Sequence, residues 1–319
     1  MDAGQRKTHR RGARRPGGLA IATDGLTKRY GDATVVSNLN LEVSEGAVYG
    51  FLGPNGAGKS TTMKMILGLA HPTGGSIQVL GREMGLGNRL EVLHQVGSII
   101  ESPSCYPHLT AYENLDIVRR LRGLPASCID EVLEVVRLND RKTRRRVVGQ
   151  FSLGMRQRLG IASALVGRPR LLLLDEPTNG LDPSGIHEIR QLIRDMPNRF
   201  GCTVMVSSHL LSEIDQMADH VGIINSGQMV WQGPMAELHA RARHWIALRT
   251  TDNATALRAL AGATADTNGW LRIKAVDDTT AGQLSLCLAQ QGVGIVRMEE
   301  RSQSLEDIFL QLTGMEATI

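Results

Sequence analysis

The sequence has 319 residues, 42% of them hydrophobic and 21% charged, a size and balance that suit one large folded domain with a smaller companion, or two of medium size. No run approaches the roughly 20 apolar residues of a membrane-spanning helix, which excludes a chain that crosses a bilayer by itself. The net charge of +4 is unevenly spread: residues 1–15 hold six Lys or Arg and one Asp, so the rest of the chain sums to about −1. Residues 1–18 are therefore read as a disordered basic arm, without the apolar segment of a secretory signal. The four cysteines (Cys105, Cys128, Cys202 and Cys287) form no C-x-x-C pair. That spacing argues against a disulfide framework or a zinc site and points to a reducing compartment.

From about residue 20 the chain alternates strand-like and helix-like segments. AVYGFLG (47–53) is a short apolar run ending in glycine, and residues 59–69 follow with helical spacing that puts Met63, Ile66 and Leu67 on one face. IQVLG (77–81) returns to strand, and GSII (97–100) reads as the end of another, leading into Glu101 and a loop with two prolines. Residues 110–138 read as two helices broken near 123–125, and 152–166 as a third. LLLL (171–174) is a continuous apolar run of the kind buried on both faces of a parallel sheet. A helix over 184–198, a strand TVMVSS (203–208), a helix from about His209, and two short strands joined at 226–227 complete the first part. The alternation predicts an α/β fold with a parallel central sheet and a helical insertion at about 105–168. After about residue 240, HWIALRT, WLRIKAV and IVRMEE alternate with helices at 253–262, 279–291 and 304–313, which predicts a small α+β domain. Ser304 and Asp307 form a capping-box pattern before the last helix.

Two segments carry chemistry. GPNGAGKS (53–60) satisfies G-x-x-x-x-G-K-[ST] between a predicted strand and a predicted helix, the context of a phosphate-binding loop. Glycines let successive backbone N–H groups wrap an anion, and the helix N-terminus adds partial positive charge. In such a loop Gly53, Asn55, Gly56, Ala57, Gly58 and Thr61 surround the phosphates, Lys59 reaches the β- and γ-phosphates, and the Ser60 hydroxyl faces Mg²⁺. LLLLDE (171–176) supplies the second segment: Asp175 leaves the C-terminal end of a buried strand, where ligands of open α/β sheets collect. Asp175 is placed to hold the metal, and Glu176 to polarise an attacking water, a role typically worth about 10²–10⁴ in rate.

FSLGMRQRLGIA (151–162) and DEPTNGLDP (175–183) resemble the signature and the Walker B–D-loop string of ABC ATPases, and SSHLLSEI (207–214) resembles their switch segment. The resemblance covers about residues 20–240. It implies a P-loop ABC-type nucleotide-binding domain over 19–240, followed by an accessory α+β domain over 241–319. It implies ATP and Mg²⁺ as cofactors, Tyr30 stacked on adenine, His209 sensing the γ-phosphate, and Ser152 and Gly154 acting on the nucleotide of a second copy. Two chains are then expected to pair head to tail around ATP, with Asp182 along their interface. Leu153 and Met155 depart from the family's LSGGQ, but the serine and second glycine remain.

Glu101 stands where most ABC ATPases carry a glutamine that contacts Mg²⁺ and the attacking water. IIESPSCYPHLTAYENL resembles the bacitracin- and lantibiotic-resistance branch, which has glutamate in this loop. A carboxylate oxygen can replace the amide oxygen on the metal side. The resemblance implies the ATP-hydrolysing subunit of an exporter at the cytoplasmic face of the membrane, driving a separately encoded permease that moves an antibiotic or peptide. Three alternatives stay open: a soluble ABC ATPase acting on ribosomes or nucleic acid, an importer ATPase, and a nonenzymatic regulator, the last disfavoured because no catalytic residue is missing. One cassette without heptads or zinc spacing weighs against the first, and a C-terminal domain of only about 80 residues against the second. No nucleic-acid partner is expected; the run RKTRRR (141–146) has no interleaved aromatic residue and reads as a solvated loop.

Overall fold

The computed structural model describes residues 18–85 and 87–314. Apart from Gly18, the basic arm expected at the N-terminus lies outside the described residues. The chain divides into two compact units, one ending at Met235 and the other beginning at Ala236.

The first unit begins with strands β1 (Leu19–Tyr30), β2 (Ala33–Leu39) and β3 (Glu42–Ser44). They form an antiparallel sheet with β5 (Gly74–Val79) and β6 (Arg82–Glu83), in the order β2-β1-β5-β6 with β3 also on β1. Of this sheet the sequence announces only β5, as the strand IQVLG; its antiparallel pairing and the strands β1, β2 and β3 are not expected from it. Its signal is faint because β1 buries residues irregularly and its register with β2 shifts twice near Lys28, which breaks the period-two alternation that marks a strand.

Before β5 come β4 (Val48–Leu52) and helix α1 (Lys59–Ile66); after β6 come α2 (Arg89–Leu93) and β7 (Val96–Ile99). The insertion follows as α3 (Ala111–Leu121), α4 (Ser127–Val135) and α5 (Leu153–Leu165). Thr110 and Glu113 make a reciprocal capping box at the start of α3, so two of that helix's unpaired end groups are satisfied by its own first turn. Then come β8 (Leu171–Leu174), α6 (Pro183–Phe200), β9 (Thr203–Ser208), α7 (Leu211–Asp215), β10 (His220–Asn225) and β11 (Gln228–Pro234); α8 (Met235–Ala240) starts at the boundary and lies almost wholly in the second unit. The second sheet has the order β11-β10-β4-β9-β8-β7, and its five strands from β10 to β7 run parallel. Only β11 is antiparallel, turned by Ser226 and Gly227, both at positive φ as a tight hairpin turn requires. Gly227 has a second reason to lack a side chain: a Cβ there would lie 2.5 Å from the Val35 carbonyl oxygen.

Every residue of β4, β8 and β9 is buried. Leu171 and Leu173 join Phe51, Met63 and Met205 in one core, while Leu172 and Leu174 fill the opposite face of the sheet. Burial of each such side chain is worth about 1.5–3 kcal/mol, so this sheet carries much of the unit's stability. Because its strands are parallel, β4, β7, β8 and β9 all end at one edge, and the loops that leave them meet there.

The second unit holds β12 (His244–Thr250), α9 (Asn253–Ala259), β13 (Thr264–Ala265), β14 (Leu271–Lys274), α10 (Asp278–Gln290), β15 (Ile295–Ser302) and α11 (Leu305–Thr313). Its antiparallel sheet has the order β13-β14-β12-β15, and Ile246, Leu248, Leu271 and Leu288 centre its own core. The capping box of Ser304 and Asp307 forms at α11.

Candidate active site

The phosphate-loop motif connects β4 to α1. Gly56 and Gly58 have φ of 80° and 103°, backbone that a side chain would strain. Gly53 packs so closely that a Cβ would lie 2.3 Å from the Ile224 carbonyl oxygen, and one on Gly58 would lie 2.8 Å from that of Val35. These contacts fix the path of the loop against β10 and β2. Lys59 opens α1, and its side chain is 6% exposed. The ammonium donates to the Gly53 and Pro54 carbonyl oxygens at 2.6 and 3.2 Å, folding back across the loop.

Asp175 and Glu176 leave β8, and His209 follows β9. Lys59 Nζ lies 3.2 Å from Glu176 Oε1, and Glu176 Oε2 lies 2.9 Å from His209 Nδ1. Three residues singled out from the sequence thus form one contact chain drawn from three separate loops. Glu176 Oε1 is buried and takes no well-formed hydrogen bond despite its charged neighbour. Glu176 also adopts φ 47°, a left-handed conformation that costs a non-glycine residue on the order of 1–3 kcal/mol and persists only where surroundings enforce it. Asp175 is 2% exposed, and its N–H donates to the Ile99 carbonyl oxygen at 2.9 Å.

The remaining candidates sit around this centre. Ser60 and Thr61 lie in the first turn of α1, half-buried, with Asn55 exposed on the loop and Ala57 buried beneath it. Glu101 follows β7 at φ 66°, and its exposed carboxylate pairs with Lys64 of α1. The Glu101 hydrogen bond raises the Lys64 pKa, with further raising contributions from the Glu101 and Asp175 charges. Tyr30 ends β1 with 52% of its surface exposed and the Lys28 ammonium 4.6 Å above its ring. Ser152 and Gly154 belong to a different place: an open recess shared with Gly180, Asp182 and Gly185 and without any phosphate-loop residue. Ser152 caps α5 by accepting from the Met155 N–H, and Asp182 caps α6 by accepting from the Gly185 N–H at 3.1 Å. In the RKTRRR run Arg144 pairs with Asp130, and Arg146 donates to the Gln150 carbonyl oxygen.

A loop of backbone N–H groups beside a lysine, followed by two carboxylates and a histidine at the ends of adjacent parallel strands, is chemistry for a nucleotide. Known proteins agree. Residues 36–179 match the family model described as ABC transporter. The chain is 43% identical over 304 residues to a bacitracin transport ATP-binding protein of Enterococcus faecalis, covering 92% of this chain and 96% of that one. It belongs to the ATP-binding proteins of ABC transporters. It is also 47% identical to a lantibiotic transport ATP-binding protein of Streptococcus pyogenes, over 66% of this chain and 89% of that one. Among solved structures, the dimeric bacterial ABC transporter cassette MJ0796 superposes with a TM-score of 0.61 at 25% identity, covering 67% of this chain and 98% of that one.

Several site residues escaped the sequence reading. Ser207 and Ser208, at the end of β9, are fully buried hydroxyls that bond to Asp175 and to Glu213 respectively. Glu213 also accepts from Thr178 at 2.7 Å, tying the segment after Glu176 to the segment after His209. Lys64 lies one turn beyond the phosphate-loop motif. Serines before a histidine carry no distinctive pattern, and only the strand register reveals what they face.

Proposed function

We propose that this ABC ATPase powers a separately encoded membrane permease that exports an antibiotic or peptide. The observation that carries the ATPase half of the reading is the Lys59–Glu176–His209 chain at the mouth of the phosphate loop. The bacitracin and lantibiotic transport relatives support the cargo class, and favour export over the importer and ribosomal alternatives.

In this reading Gly53, Asn55, Gly56, Ala57, Gly58 and Thr61 surround the phosphates, and Lys59 exchanges its backbone carbonyl partners for anionic oxygen. Tyr30 supports the base. Glu176 takes the proton of the attacking water, and His209 holds the Glu176 carboxylate and senses the γ-phosphate. Ser60, Asp175 and Glu101 supply hard oxygen donors of the kind Mg²⁺ takes, and Glu176 Oε1, buried without a hydrogen bond and met only by the Lys59 ammonium, fits a site whose electrostatics are completed by a ligand. Mg²⁺, when bound, neutralises charge on the phosphate oxygens.

One chain does not bring its signature to its own phosphate loop. A head-to-tail pair of chains, consistent with the dimeric cassette among the structural relatives, places Ser152 and Gly154 of one copy on the nucleotide of the other. No helix among the described residues is long and apolar enough to cross a membrane, so attachment to the cytoplasmic face falls to the permease. The test is a detergent pull-down of tagged Glu176→Gln with MgATP from its native cell. A multispanning membrane protein is the expected partner; ribosomal proteins or DNA without one would overturn the transport reading and leave the ATPase chemistry standing.

A further inference from the structure

We propose that Ser207 is a positioning residue for hydrolysis, its single hydroxyl setting both acidic residues at the end of β8. The proposal rests on the reading of Asp175 as a metal-side residue and Glu176 as the base. Ser207 is 0% exposed on β9, the strand paired in parallel with β8. Its Oγ donates to Asp175 Oδ1 at 2.6 Å and accepts from the Glu176 N–H at 2.9 Å. A serine hydroxyl has one proton. Once that proton is given to Asp175, the oxygen lone pairs are left for the Glu176 N–H, so the two bonds support each other.

Both recipients need such a partner. The Asp175 carboxylate is buried, and a buried carboxylate requires donors to stay in one orientation. The bond to Oδ1 fixes the rotation of the carboxylate about its own axis. Glu176 departs from the strand at positive φ, and its N–H bond to Ser207 is a direct restraint on that turn. The turn in turn aims the Glu176 carboxylate between Lys59 and His209. Ser207 therefore acts on the reaction through two other residues.

The adjacent hydroxyl has a different task. Ser208 donates to Glu213 at 2.9 Å and accepts from the Leu210 N–H at 3.0 Å, shaping the segment that carries His209. The pair of serines thus divides the work, Ser207 toward β8 and Ser208 toward the switch histidine.

Ser207→Thr and Ser207→Val test the idea, because the two side chains share a shape and differ by the hydroxyl. With equal melting temperatures, the Val variant is expected to turn over about tenfold or more slowly relative to Thr, the loss that follows from one buried hydrogen-bond partner. ATP binding measured without metal is expected to be equal in the two. Mn²⁺ binding to the ATP complex, followed by electron paramagnetic resonance, is expected to weaken several-fold in the Val variant alone. Equal turnover and equal Mn²⁺ affinity in Thr and Val would overturn the proposal, as would a loss in Val that tracks a lowered melting temperature. Should both fail to fold, Ser207→Ala against the parent protein reads the same quantities. Glu176→Gln run in parallel separates the two levels: full turnover in that variant removes the reading of the site, whatever Ser207 does.

Discussion

The two units each contain a β-sheet, and the sheets differ in a way that explains where chemistry can sit. In the first unit β4, β8 and β9 are buried at every position, and neighbouring strands run parallel. In the second unit β14 alternates, with Leu271 and Ile273 buried and Arg272 and Lys274 exposed, and the strands are antiparallel. Parallel strands deliver their C-terminal ends to one edge, so the loops carrying Lys59, Asp175, Glu176 and His209 converge. Antiparallel strands send successive loops to opposite edges, and no comparable cluster forms among the described residues of the second unit. Its sheet instead has an apolar face toward its helices and a polar face. By strand register the polar face gathers Arg249, Arg272, Lys274, Arg297 and Arg301, with Glu299 among them paired to Arg301. Arg272 lies 3.8 Å over the Trp245 ring and Arg301 lies 4.1 Å over that of Trp270, cation–π contacts that partly shield those cations.

The contrast can be broken at several points. Glu176→Gln has the largest expected effect: turnover falls by about 10² or more while MgATP binding persists and dimer accumulates, read by phosphate release and light scattering. Unchanged turnover would detach the converging edge from catalysis. Leu173→Ala, which empties a fully buried position in the parallel sheet, is expected to cost about 2–5 kcal/mol of stability in thermal or urea unfolding. Leu248→Ala makes the same deletion in the second unit's core and is expected to loosen that unit while ATP turnover continues. Loss of turnover there would show that the catalytic edge depends on the second sheet. Arg297→Ala, on the exposed polar face, is expected to change stability by less than about 0.5 kcal/mol.

How far the sequence spoke follows the same division. LLLL announced the parallel sheet because a strand buried on both faces reads as a continuous apolar run, and TVMVSS was legible through its central Val204, Met205 and Val206. The glycines of the phosphate loop were legible because backbone at positive φ and close packing leave few other choices. Of the first antiparallel sheet only β5 was legible, since β1 is bulged and half-exposed and its register with β2 shifts twice. Ser207 and Lys64 were hidden for a related reason. Each is a common residue whose role comes from what a neighbouring strand or loop places opposite it, Asp175 for one and Glu101 for the other. The recess around Ser152 could be named from its motif and its separation from the phosphate loop was what the family resemblance implied; in the fold no phosphate-loop residue lines it.

That separation makes completion of the site by a second copy the central claim. The direct measurement mixes two purified variants, Glu176→Gln and Ser152→Arg, each expected to be nearly inactive alone. In a mixed head-to-tail pair, the chain with an intact Glu176 meets the intact Ser152 of its partner, so one whole site is restored. The account predicts that ATP hydrolysis returns on mixing and scales with the fraction of mixed pairs. A mixture no more active than its two components, with mixed pairs demonstrably formed, would contradict it.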